Sequence, residues 1–487
     1  MRDFSPRRTP WLIPAVLALA AVAVGRLAVA QAQPKVDTVV ILYTNDLHGR
    51  LKPNRTGVGG MAYVSGYVQL VRQERPDVLL LDGGDVCEKG DMLEVFTKGE
   101  AMYRAMSTVG YDAGAPGNHD FVYGLDQLLA NGKVGGFPLV CANVVKTDTR
   151  GPLFDPYVEM DVDGVRVGVI GGTISYGARE GRETLDVPGL AAVMKRYVAE
   201  LEPRVQLIVA VVHLGSRDGR QLSALVDGLD VIVTGHTHEV LAEPIIAEEG
   251  GAIIVQAGQY ATHVGRLELK IDMATEAILE HRGRLVELGH DTHAPDEKLA
   301  SDIATWNKDT CPEADELIGT APETLASRGG LTPFGEWTAQ ALRFKSGADV
   351  ALLDTDIFRE KLYAGPVTLD DLFRTLVPGN RREVRLLNVT GAELLTILRH
   401  RVQDLDQRDH IVGVAIDVKQ TEAGKAVEGS DVDPERTYRV AVPRMSAWPA
   451  EDQLGINVQM TETGYTVLDA MVAYARHVKT IVAPTGQ

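Results

Sequence analysis

A chain of 487 residues exceeds what one ordinary core supports, so two large domains are expected, and 45% apolar with 24% charged residues describes a globular protein. The net charge of −18 carries no basic stripe and excludes a nucleic-acid footprint; an acidic chain that handles an anion must concentrate positive charge locally, from metals or arginines. Three cysteines, Cys87, Cys141 and Cys311, exclude a disulfide framework and suit buried free thiols.

Residues 1–30 read as a signal peptide. Arg7 and Arg8 form a basic head, Trp11 to Val24 an uncharged and mostly apolar run, and Ala28-Val29-Ala30 a cleavage site. The arginine pair also admits a twin-arginine export route. The apolar run is too short for a lasting anchor, and no later stretch could span a bilayer. A periplasmic or secreted protein is expected, without stable membrane association after cleavage.

Thr38 to Tyr43 is a β-branched apolar run without alternation, the pattern of a strand buried on both faces, and it ends in Thr44-Asn45-Asp46-Leu47-His48-Gly49. Asp46 and His48, two apart, point to one side of the strand's end. Met61 to Glu74 has helical spacing. Val78 to Leu81 is a second buried strand, ending in Asp82-Gly83-Gly84-Asp85. Asp91 to Val109 reads as one amphipathic helix leading to Gly117-Asn118-His119-Asp120. Val165 to Ile170, Leu207 to Val212 and Leu229 to Val233 are further apolar runs. The second ends in His213-Leu214-Gly215, the third in Thr234-Gly235-His236-Thr237-His238. In open α/β sheets ligands sit beyond the carboxyl ends of the strands. Five strand ends therefore deliver Asp46 and His48, Asp85, Asn118 and His119, His213, and His236 and His238 to one rim.

Imidazole, carboxylate and amide ligands without thiolates suit Mn, Fe, Zn or Co. The set is too large for one ion, but two divalent ions sharing a bridging carboxylate would use it all. A hydroxide bridging them would be a nucleophile at neutral pH. His119, beside Asn118, would project toward substrate and stabilise charge or protonate a leaving oxygen.

This motif series, Asp-x-His, Gly-Gly-Asp, Gly-Asn-His-Asp, a strand-end His and Gly-His-Thr-His, resembles that of the calcineurin-like metallophosphoesterases. The closer resemblance is to the bacterial periplasmic 5'-nucleotidases and UDP-sugar hydrolases, from about Val36 to Val478. It implies a four-layer α/β domain, two β-sheets flanked by helices, over 36–290. A linker helix over 291–316 and a smaller α/β substrate-binding domain over 317–482 would follow. It further implies Asp46, His48, Asp85 and His238 as ligands of one metal, with Asp85 bridging, and Asn118, His213 and His236 on the second. His119 matches the catalytic histidine. The nucleotidases orient that histidine with an aspartate three residues later, where this chain has Val122; Asp120, or a carboxylate such as Asp91, is the expected substitute. His119-Asp120-Phe121-Val122-Tyr123-Gly124 is also similar to a segment of the thiosulfohydrolases of sulfur oxidation.

Asp296 to Lys308 reads as the helix into the second domain. Phe334 to Phe344 then reads as a helix, Ala348 to Leu353 as a strand, a helix starts at Asp370, and Arg385 to Val389 and Tyr438 to Val442 read as strands. Phe358-Arg359 before Ala364-Gly365 resembles the nucleotidases' substrate-binding segment, making Arg359 a candidate for an anionic group. Asn380 is a second candidate, in Pro378-Gly379-Asn380, where the family's stacking Phe is replaced by Pro378. Its second stacking ring falls near Met445, leaving Phe358 or Trp448 to compensate. Base stacking is worth about 1–3 kcal/mol per ring in nucleic-acid-binding proteins, so nucleotide affinity should be weakened. The expected activity is hydrolysis of a small phosphate ester or anhydride. A thiosulfohydrolase-like reaction on a sulfur oxyanion borne by a carrier protein, and a non-catalytic anion- or metal-binding module, are the alternatives.

Overall fold

The computed structural model describes residues 36–483 apart from 180, 329–330, 378–382, 405–408, 422–423 and 445–453. The signal peptide, Asn380, Met445 and Trp448 therefore lie outside the described residues. The first domain is built on two sheets facing each other. In chain order its main elements are β1 (Val36–Thr44), α1 (Met61–Glu74), β2 (Leu79–Asp82), α2 (Met92–Phe96), α3 (Glu100–Val109) and β3 (Ala113–Gly114). There follow α4 (Leu125–Gly135), β4 (Tyr157–Val162), β5 (Val165–Thr173), α5 (Val187–Leu201), β6 (Leu207–His213), α6 (Ser216–Leu225) and β7 (Val231–Thr234). It closes with β8 (Ile245–Ile246), β9 (Ile253–Val255), β10 (His263–Asp272) and β11 (Ile278–Glu287). The sheets run β11-β10-β1-β2-β3 and β8-β9-β7-β6-β5-β4.

The uninterrupted apolar runs are explained by burial on both faces. Val39, Ile41, Leu79 and Leu81 meet Val169, Val209, Val211 and Val233 between the sheets. Their neighbours Leu42 and Leu80 point the other way, onto Met61 and Val64 of α1 and Met102 and Met106 of α3. On the second sheet, Ile208, Ala210 and Ile232 pack under Leu190 and Met194 of α5 and Leu222 of α6. Period-two alternation thus serves two cores, and the order of layers is helix, sheet, sheet, helix. In each sheet the strands that carry candidate ligands run parallel, so their carboxyl ends share an edge.

One element departs from the sequence expectation. Asp91 to Val109 is two helices, not one. Lys98 and Gly99 take left-handed φ of 50° and 88°, and the Thr97 hydroxyl donates back to the Leu93 carbonyl, ending α2. Helical periodicity continued across the break because both pieces face the same core.

Helix α7 (Glu297–Thr310), capped by Asp296, buries Leu299 and Ile303 in the first domain's core. The second domain has a five-stranded mixed sheet, with β12 (Val350–Asp354), β13 (Glu383–Thr390) and β14 (Thr437–Pro443) inside it. Helices α8 (Pro333–Ser346) and α11 (Val467–Val478) cover one face and α10 (Gly391–Arg401) the other. Helix α9 (Leu369–Thr375), opened by a Thr368–Asp371 capping box, leans against the first domain, where Phe373 enters its core.

Candidate active site

The loops after β1 and β2 hold each other through backbone bonds: Asp46 N–H to the Gly84 carbonyl (2.8 Å), His48 to Asp85 (2.8 Å) and Gly49 to Val86 (2.7 Å). The loop after β3 closes on them. A β-carbon at Gly117 would lie 2.2 Å from Asp85 Oδ1, and one at Gly84 (φ 90°) would lie 2.7 Å from Gly117 N. Only glycine lets these backbones meet. Asp46, His48, Asp85, His236 and His238 all take left-handed φ, at 52°, 47°, 59°, 79° and 59°. Sharp reversals at the strand ends turn these side chains back over the rim.

Two groups of donors result. Asp46, His48 and His238 form one, and Asp85, His213 and His236 the other. His48 Nε2 and His238 Nε2 face each other at 3.0 Å, with Asp46 Oδ1 3.8 and 3.2 Å away. Asp85 Oδ2 lies 3.1 Å from His213 Nε2 and 3.7 Å from His48 Nε2, so its carboxylate stands between the groups. Asn118 Oδ1 is 3.2 Å from His236 Nδ1. Lone pairs of carboxylates and imidazoles that converge this closely fit a pair of cations, and the absence of thiolates fits a borderline or hard metal. The structure therefore brings all seven candidate ligands together.

Surrounding groups fix their orientation. His213 Nδ1 donates to the Gly83 carbonyl (2.8 Å), leaving Nε2 for Asp85. Asn45 donates to Asp46 Oδ2 (2.7 Å) and to the Gly258 carbonyl (2.7 Å), and accepts from Ala257 N–H (2.6 Å). Burial opposes the Asp85 charge, yet His213 and His48 hold its carboxyl far below the usual carboxylate range. Burial likewise opposes a charged His213, but Asp85 pushes it up to about 9. His48, fully buried, is driven well down, chiefly by loss of solvent.

His119 donates its backbone N–H to Asp85 Oδ1 (2.8 Å), and its ring stands edge-on to His48, centroids 5.0 Å apart. Its Nδ1 pairs with the carboxylate of Glu88. Neither Asp120 nor Asp91 takes that place. Asp120 accepts from the backbone N–H groups of Gly117 (2.7 Å), Asp85 and Cys87 (both 3.0 Å), which ties two loops together. Asp91 accepts from Lys52 N–H (2.8 Å) and pairs with Arg374. Val122 is 51% exposed.

Beside His238 a cavity of about 520 Å³ opens between the domains, lined by Arg50, Arg328, Arg359, Arg374 and Tyr260. Arg359, only 7% exposed, has no partner for Nε and Nη1 among the described residues, and burial with the nearby Arg50 charge pushes its guanidinium down to about 9. Arg50 lies over the Tyr260 ring at 4.7 Å and bonds Glu360 at 3.2 Å, while its Nε and Nη2 likewise find no partner among the described residues. Sequence reading missed Glu88, Arg50 and Tyr260. Arg50, two residues beyond His48, was the one with a usable signal. Phe358 does not serve as a stacking ring, because it is fully buried against Phe334 in the second domain's core.

Residues 39–240 match the family model of the calcineurin-like phosphoesterases, and residues 317–450 that of the 5'-nucleotidase C-terminal domain. The chain is 27% identical over 495 residues to Endonuclease YhcR of Bacillus subtilis, covering 92% of this chain and 40% of that one. It is 26% identical over 479 residues to a 5'-nucleotidase of Vibrio cholerae, covering 84% of each. The fold superposes on a 5'-nucleotidase precursor from Thermus thermophilus with a TM-score of 0.70 at 24% identity, covering 92% of this chain and 98% of that one.

Proposed function

The chain belongs to the calcineurin-like metallophosphoesterases in their two-domain, 5'-nucleotidase-like form, and on that premise we propose an exported, dimetal-dependent hydrolase of small phosphate esters or anhydrides. Asp46, His48, Asp85 and His238 would hold one ion, and Asp85, Asn118, His213 and His236 the other. The single observation that carries the reading is the pair of facing donor groups with Asp85 between them. Two divalent ions there supply Lewis-acid charge and a nucleophile at neutral pH. His119 delivers a proton to the leaving oxygen, and Arg359 and Arg50 meet the substrate's anionic portion with guanidinium N–H groups that have no partner among the described residues. A basic cavity in a chain of net charge −18 supports an anionic substrate. A nucleoside is not favoured, since Pro378 and Met445 stand where the resembling enzymes stack a base and Phe358 is enclosed.

Export rests on the N-terminal sequence; among the described residues no helix is long and apolar enough to cross a membrane.

The test is turnover of p-nitrophenyl phosphate, AMP, UDP-glucose and a short oligonucleotide with Mn²⁺ and with chelator. The expectation is metal-dependent release of phosphate from the small esters or anhydrides, with AMP a poor substrate. His119→Asn should lower kcat by about 10²–10⁴. Two bound ions per chain without turnover of any phosphoester would overturn the reading.

A further inference from the structure

The histidine that faces the donor groups is held by a carboxylate from an unexpected place. At Val122, where the resembling nucleotidases carry an aspartate, this chain has an aliphatic side chain half exposed to solvent. The carboxylate at His119 Nδ1 belongs instead to Glu88, thirty-one residues earlier, in the loop after β2. That loop also supplies Asp85, whose Oδ1 takes the His119 backbone N–H. One loop therefore fixes both the backbone and the ring of His119.

Glu88 is itself anchored. Its backbone, at φ 63°, donates to Glu94 Oε1 at 2.9 Å, and Glu94 is wholly buried. The Glu88 side chain is 14% exposed and that of His119 22%, so the pair is shielded from water but open on one side. With Nδ1 committed to Glu88, Nε2 is the nitrogen left to reach a substrate oxygen. A carboxylate on one imidazole nitrogen fixes the tautomer and the ring's orientation.

We propose that Glu88 is the positioning residue of His119, replacing from a different loop the aspartate that Val122 displaces. The proposal rests on the hydrolase reading above. In the step it serves, the bond from phosphorus to the leaving oxygen breaks as a hydroxide oxygen bonds phosphorus, the attacking water having released its proton to solvent, from which His119 is afterwards reprotonated. The leaving oxygen takes a proton from His119 Nε2, and Glu88 keeps Nδ1–H throughout.

A leaving group that needs no proton removes the need for the dyad, and this separates positioning from a structural role. In Glu88→Ala, kcat for an alkyl phosphate should fall about 100-fold or more, while kcat for p-nitrophenyl phosphate falls less than about 10-fold, with KM and bound metal unchanged. Equal loss on both esters, or loss of bound metal, would overturn the proposal. A second readout needs no activity. The wild-type protein should show a far-downfield imidazole N–H proton resonance that disappears in both His119→Asn and Glu88→Ala; its absence from wild type, or persistence in Glu88→Ala, also overturns it. Glu88→Gln, nearly isosteric, carries the same measurements if the alanine variant does not fold. Failure of the wild type to turn over any phosphoester strikes the hydrolase reading alone, and the resonance still decides the dyad.

Discussion

At the scale of single residues, the cavity beside His238 is marked by guanidinium N–H groups that find no partner among the described residues. Arg50 and Arg359 are buried side by side and raise each other's cost, which Glu360, 3.2 Å from Arg50, offsets in part and a bound anion would offset further. Arg359→Ala should therefore raise KM for a charged ester by about 10- to 100-fold with little change in kcat, the size of one or two charge-assisted hydrogen bonds. Steady-state kinetics check this, and a fall in kcat at constant KM would contradict it. The seven candidate ligand positions were legible in sequence because each ends or closely follows a buried strand, where chain geometry leaves little choice of direction. Glu88 was not legible. Its role depends on a left-handed turn that brings it against a residue thirty-one positions later, and nothing in Val86-Cys87-Glu88-Lys89 announces such a turn. Asp120 shows the converse: proximity in sequence suggested a catalytic part, but three backbone amides occupy its carboxylate.

At the scale of elements, apolar runs identified the central strands well because both faces of each sheet are buried. Their ends drifted by one to three residues: the run expected at Val165 to Ile170 extends to Thr173, and that at Leu207 to Val212 takes in His213. The divided helix after Asp91 escaped notice because hydrophobic spacing reports which face is buried and says little about local φ. The break has a use. It lets the short α2 present its first amide, Met92 N–H, to Asp370 Oδ1 at 2.8 Å across the domain boundary. A single long helix would have aimed that end elsewhere.

At the scale of the whole molecule, two domains follow from length alone, but what joins them does not. The helix expected as a linker is packed into the first core through Leu299 and Ile303. The boundary is crossed by Lys52–Asp370 (2.6 Å), Arg50–Glu360 (3.2 Å), Arg374–Asp91 (3.4 Å) and Arg55–Asp371. Asp370 is 3% exposed and serves both Lys52 and Met92 N–H. Removing one partner of a buried pair leaves the other uncompensated, at a cost of about 3–5 kcal/mol. Asp370→Ala should thus split urea unfolding from one transition into two as the domains uncouple. Salt at about 1 M should have a much smaller effect, because enclosed pairs are poorly screened. Circular dichroism and tryptophan fluorescence followed together check both, and splitting by salt alone would contradict this account.

The left-handed backbone at Asp46, His48, Asp85, His236 and His238 carries a consequence for how this protein trades durability against activity. An L-residue in that region costs on the order of 1–2 kcal/mol, so the metal-free rim is a frustrated patch inside an otherwise consistent fold. Ions that bind only the native rim offset this frustration. Selection for robustness alone would place glycine there; selection for hydrolysis forbids it. His238→Gly should show the conflict directly: a higher midpoint of thermal unfolding than wild type in chelator, and a lower one with saturating Mn²⁺. A variant less stable than wild type under both conditions would mean that the rim is not strained.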